Sequence, residues 1–137
     1  MRAAKGAIEI MHITKEFEVS YSVIGDILPR GICGSGLLDC IAELLRSGII
    51  DRSGNFQKGI KTDKLRNRDD EYEFVLVSKE ETGIDSEIVI TQADIANLIR
   101  SKGAIYAAVS LLIESMGLGI NDVHCVYLAG GFGNYLD

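Results

Sequence analysis

Two glycine-rich stretches, far apart in the chain, carry the residues most suited to binding chemistry: GICGSG at 31–36 and LAGGFGN at 128–134. In the second, an apolar run at 126–129 reads as a short buried strand and stops abruptly at Gly130 and Gly131, with Phe132, Gly133 and Asn134 following. A glycine pair placed there lets the backbone turn tightly. It also lets a ligand lie against peptide groups with no Cβ in between, as nucleotide sites require. An ordinary strand ending in a glycine turn has the same letters, so both readings stand at this point. In the first stretch, Gly34, Ser35 and Gly36 feed directly into a helix, where free N–H groups and the positive end of the dipole can receive an anion. The alternative is a capped helix whose glycines only permit close packing against a sheet.

Other reactive side chains point less clearly. Cys33 lies just before that helix start, an environment that can activate a thiol, but a single cysteine also serves as a small buried hydrophobe. Cysteines at 33, 40 and 125 neither pair evenly nor show zinc spacing, which suits a reducing, cytoplasmic setting. His12 and His124 have no nearby serine or cysteine elbow and read as structural. Asp39 and Glu43, four apart on one helix face, receive no role from the sequence.

The elements that would position these residues follow in order. Residues 7–14 and 17–24 alternate as two strands of a hairpin, with a slip in the apolar period before Ile13. The segment 25–29 breaks the pattern and holds the only proline, Pro29. A helix is predicted over 37–47, with Ser35 as N-cap and Gly48 as its left-handed stop. A turn over 51–55 follows. The charged run 57–71 reads as a solvated loop and is the one candidate boundary. Strands are predicted at 72–78 and 87–90, forming a small hairpin apart from the main sheet. Thr91 opens the longest helix in a capping-box pattern with Asp94. Ile95, Leu98, Ile99, Ile105, Val109, Leu112, Ile113 and Met116 should fill its core face, and Gly117 should end it. The helix, tight turn, strand and glycine pair make an α/β unit.

The chain of 137 residues is 47% hydrophobic, enough for one domain with its own core. A net charge of -6 argues against a nucleic-acid binder, which would display a basic face. No apolar run approaches a membrane span, and the N-terminus lacks the pattern of a secretory signal.

Taken jointly, GICGSGLLDCIAELLRSGIIDRSGNF, ITQADIANLIRSKGAI and VYLAGGFGNYLD resemble the C-terminal region of the reductive activators of corrinoid proteins. These are ATP-dependent iron–sulfur proteins of the acetate kinase, sugar kinase, heat-shock chaperone and actin (ASKHA) superfamily. The likeness covers essentially the whole chain. It implies an α/β fold that is part of an actin-like (ribonuclease H-like) ATPase, a mixed sheet with flanking helices and a small α+β subdomain. Residues 1–137 would be its C-terminal lobe, with the small subdomain at about 50–90. It implies that Gly130, Gly131, Phe132, Gly133 and Asn134 pack on the nucleoside, and that Gly34, Ser35 and Gly36 face the ribose or phosphates.

The resemblance also implies parts that this sequence does not carry. The family's ferredoxin-like cluster domain and its Asp-Gly-Thr phosphate loop have no counterpart here, so the chain reads as a fragment. ATP would be the cofactor, with magnesium expected in the full-length protein and the iron–sulfur cluster only in the missing N-terminal domain. The expected partners are a nucleotide, a corrinoid protein and, as one option, a second copy of the chain, with no nucleic acid and no membrane. Two other readings remain: a non-catalytic module for dimerisation or corrinoid-protein docking, and a sugar- or acid-kinase-like lobe, since fold alone does not settle function.

Overall fold

The computed structural model describes residues 1–127. Its first sheet is built from β1 (Ala7–Ile13), β2 (Val19–Val23) and the two-residue β3 (Gly31–Ile32), in the order β2-β1-β3. β1 runs antiparallel to β2, pairing Met11 with Tyr21 and Ile13 with Val19, and parallel to β3. The expected mixed sheet and hairpin are therefore present. The slip in the apolar period is a bulge between Ile8 and Ile10, which turns Ile10 outward and Met11 inward. The hairpin closes through Thr14, whose hydroxyl accepts from the Glu16 and Glu18 amides.

α1 (Gly34–Arg46) follows β3 without a break and packs along β1, burying Cys40 and Leu44. Its N-cap is Cys33 and not Ser35, which lies inside the first turn. The glycines allow the helix to begin earlier than its apolar stripe suggests. Gly48 has φ +78°, the left-handed stop expected there.

The second sheet contains β4 (Leu65–Arg68), β5 (Glu71–Val77) and β6 (Ile88–Thr91), antiparallel throughout in the order β4-β5-β6. The charged run 57–71 is thus not all solvated loop: residues 65–68 within it are the strand β4. Asp69 and Asp70, at φ +52° and +64°, make the two-residue hairpin turn that starts β5. Charge conceals the strand because Arg66 is satisfied across the sheet. It donates to Glu73 at 2.7 Å and forks onto the Glu87 carboxylate, tying all three segments together. One core serves both sheets: Ile8, Met11, Cys40, Leu44, Ile49, Phe74, Ile90 and Ile95 form a continuous buried cluster.

α2 (Gln92–Ser115) opens with the predicted capping box, Thr91 and Asp94 bonding reciprocally, and ends before Gly117 at φ +71°. The expected core face is only partly realised. Ile95 is fully buried and Leu98 and Ile113 are half-buried, but Ile105, Leu112 and Met116 are each more than 60% exposed. From 101 to 127 every residue except Ser110 and Ile113 is exposed. The apolar pattern is real, but among the described residues nothing covers it. The expected terminal strand begins within this region; Val123 to Tyr127 are exposed and form no strand, and its remainder lies outside the described residues.

Candidate functional site

Between α1 and the middle of α2 lies a groove of about 540 Å³. Three constraints build it, and each is local in origin. First, α1 is locked onto β1. A Cβ at Gly36 would stand 2.3 Å from the Ile8 carbonyl oxygen, so only glycine permits this approach. Farther along the helix, Asp39 Oδ2 accepts from the Met11 amide at 2.9 Å and Glu43 Oε2 from the Ile13 amide at 2.8 Å. Those amides lie past the two-residue stretch where β3 pairs with β1, so the two carboxylates take the place of a neighbouring strand. Glu43 also holds Arg46 at 2.7 Å and has His12 Nδ1 at 2.8 Å. This pair, to which the sequence assigned no role, is what sets the position of α1. Carboxylates spaced i, i+4 against amides spaced i, i+2 were the available signal.

Second, the 51–56 turn closes one end. Asp51 Oδ1 accepts from the Ser53 and Asn55 amides at 2.8 and 2.9 Å, and these backbone bonds, Asn55 foremost, hold its carboxyl below the usual range. Gly54, at φ +81°, is pressed against Ile95 and Ile99. Third, Gln92 clamps this turn to α2: its amide donates to the Gly54 carbonyl at 2.7 Å and accepts from the Phe56 amide at 3.2 Å.

The resulting groove has an apolar body of Leu37, Leu38, Ile41, Leu45, Leu98, Ile99 and Ile105. Its polar lining is sparse: Gly34, Asp51, Arg52, Ser101 and Lys102. Among the described residues neither Lys102 nor Arg52 belongs to an ion pair. A cleft of this size, mostly apolar with a few polar groups at its edge, suits a small organic ligand bearing negative charge.

The residues singled out in the sequence divide three ways. Gly34 lines the groove. Ser35 is buried, its hydroxyl 3.1 Å from the Cys33 sulfur, and Gly36 is buried against β1. For Gly36, packing against the sheet is the arrangement observed. Gly130, Gly131, Phe132, Gly133 and Asn134 lie outside the described residues. Lys102, Arg52 and Gln92 were not picked out from the sequence, because a lone cation or amide on a helix or turn carries no motif.

A family model described as the C-terminal domain of RACo, the ASKHA domain, matches residues 1–137. The chain belongs to this family. It is 39% identical over 144 residues to the corrinoid activation enzyme RamQ of Eubacterium limosum, an alignment covering 100% of this chain and 24% of that protein. A solved structure, described as a reductive activator for corrinoid, iron-sulfur protein, is 47% identical with a TM-score of 0.90. That match covers 99% of this chain and 22% of the other. The chain thus spans about a quarter of the length of the relatives it matches. The expected α/β architecture, as part of an ASKHA fold, is accordingly its fold. No helix among the described residues is long and apolar enough to cross a membrane.

Proposed function

We propose that this chain is the nucleotide-binding C-terminal lobe of an ATP-dependent reductive activator of corrinoid proteins. The observation that carries the reading is the match to a reductive activator along 99% of the chain, at 47% identity and TM-score 0.90. In the longer protein, ATP binding and hydrolysis would drive a closure coupled to reduction of a cobalt(II) corrinoid, and a corrinoid protein would be the partner. The lobe's part is to bind and orient. The apolar groove between α1 and α2 would take the flat face of the nucleoside. Lys102 and Arg52 at its edge would face the phosphates, and the Gly130–Gly131 turn would close over the base. Residues at about 50–90 would act as the small subdomain of the lobe.

The described residues contain no group of three or more His, Cys, Asp or Glu side chains arranged to hold a metal ion. On this reading magnesium and the iron–sulfur cluster would be held by other parts of the longer protein, as the family resemblance implies, and no step on this lobe is routed through them. Calorimetry with a non-hydrolysable ATP analogue tests the assignment, with Gly131→Val and Lys102→Glu alongside the parent chain. Weaker heats from both variants are expected. Equal heats from all three proteins would remove the nucleotide reading. The dimerisation alternative draws on the uncovered apolar half of α2. Sedimentation with and without nucleotide separates the two, since a pure interaction module would associate regardless of ATP.

A further inference from the structure

Three polar atoms where the last turn of α1 meets β1 stand in an arrangement that no single protonation state satisfies. Arg46 Nη2 lies 2.7 Å from His12 Nδ1 and 2.7 Å from Glu43 Oε2, and Nδ1 lies 2.8 Å from that same Oε2. Each side of this triangle has hydrogen-bond length, yet the hydrogens suffice for only two of the three. When Nδ1 is bare, the two hydrogens of Nη2 serve the ring and the carboxylate. Nδ1 and Oε2 then face each other as two acceptors with no hydrogen between them. When Nδ1 carries a proton, the ring donates to Oε2, and its approach to Nη2 becomes donor against donor. Oε2 also accepts the Ile13 amide at 2.8 Å, one of the two bonds that tie α1 to β1.

We infer that His12 is a positioning residue, and that the proton on its Nδ1 sets how firmly Glu43, and through it α1, holds β1. With the proton present, consecutive residues of β1 both donate to one carboxylate oxygen of α1, and Arg46 turns away from the ring. With Nδ1 bare, Arg46 bridges ring and carboxylate. Oε2 then moves off from the facing ring nitrogen, which draws it away from the Ile13 amide. Imidazole is the side chain that changes charge between about pH 5 and 8, so the tether responds to pH there. The groups facing the ring are Glu43 and Arg46 from α1 and Lys15 from the turn after β1, which lines the same pocket as His12 and Arg46. Across the sheet its partner is Ser20, which carries no charge. α1 forms one wall of the groove, so the tether governs that wall whichever ligand the groove takes.

Amide hydrogen exchange in the 137-residue chain tests this. The Met11 amide is the internal reference, because it lies on the same strand and donates to Asp39, not to Glu43. Dividing the Ile13 rate by the Met11 rate removes the rise of exchange with pH that both amides share. The ratio should climb several-fold between pH 5 and pH 8. In His12→Asn, which puts a non-titrating amide near the Nδ1 position, the ratio should stay flat. A flat ratio in the parent chain, or an equal climb in His12→Asn, would overturn the inference. Nitrogen-15 NMR of the His12 ring gives a check that needs no variant at that position. The neutral ring should carry its proton on Nε2 in the parent chain, held so by Arg46, and shift towards Nδ1–H in Arg46→Ala. A neutral ring already protonated at Nδ1 in the parent chain would also overturn the inference, since the bond to Glu43 would then exist on both sides of the titration.

Discussion

Replacing Gly36 by alanine should loosen the whole front of the lobe, and the size of the effect can be worked out atom by atom. The new methyl group would sit 2.3 Å from the Ile8 carbonyl oxygen, 3.0 Å from its carbon and 3.1 Å from Ile32 Cγ2. Carbon–oxygen contacts between neighbouring elements settle at about 3.3–3.6 Å, so α1 must retreat from β1 by about 1 Å. The obstacle is backbone and cannot swing aside. A retreat of that size stretches the Asp39–Met11 and Glu43–Ile13 bonds, now 2.9 and 2.8 Å, past useful length. Overpacking costs about 1–3 kcal/mol, and each hydrogen bond to a charged group about 1.5–3 kcal/mol. Alanine returns about 1 kcal/mol of helix propensity, which leaves a net loss of about 3 kcal/mol or more. With a urea slope of about 1–3 kcal/mol per molar, the unfolding midpoint should fall by about 1 M or more. Gly103→Ala is the matched control: no atom lies within 4 Å of its added Cβ, so propensity should make it slightly stabilising. A Gly36→Ala midpoint equal to or above that of the parent chain would refute the locked-helix account.

Glu87 is held below the usual carboxylate range by its hydrogen bonds with Arg66, against some opposing desolvation. A depressed native pKa gives stability that is present above the ordinary carboxylate range and lost as pH falls through the lowered value. Glu87→Gln should therefore flatten the acid limb of a stability-against-pH curve from urea melts, and parallel curves would count against the pairing. Cys33 and Cys40 are buried, with the Cys40 thiol pushed up to about 12 by burial first and Asp39 next, whereas Cys125 is exposed. A thiol reagent at neutral pH should accordingly label one cysteine in the native chain and three in denaturant; fast labelling at Cys40 would contradict the described core. Removing the Gln92 clamp by alanine should cost about 1–3 kcal/mol, since it leaves the Gly54 carbonyl and Phe56 amide without partners in a part-buried turn. Faster amide exchange at Phe56 would mark the loss, and an unchanged rate would show that the turn holds without it.

Local chemistry was readable wherever a short-range rule dictates structure. The capping box at Thr91, the left-handed stops at Gly48 and Gly117 and the 51–55 turn each depend on a few neighbouring residues, and all stand as expected. β4 was missed because the charge at its centre, Arg66, is neutralised by Glu73 and Glu87, which lie 7 and 21 residues away. Such long-range pairs leave no trace in a local window. Ser35 was expected as N-cap because its type fits, but the backbone enters the helix two residues earlier, at Cys33. The groove was half legible. The glycines pointed to α1, while Lys102 and Arg52 become neighbours only once Gln92 draws the 51–56 turn onto α2. For α2 the periodicity announced a core face of which only Ile95 is buried; Ile105, Val109, Leu112 and Met116 are exposed among the described residues.

The carboxylates of Asp39 and Glu43 have one more effect, on how this architecture can grow. They already answer the outer amides of Met11 and Ile13, so no incoming strand can dock along that stretch of β1. Lateral extension of the first sheet has two berths left, past β2 or alongside β3. A larger assembly must therefore add its strands at one of those rims, and a misplaced strand from another chain meets a sealed flank at the third.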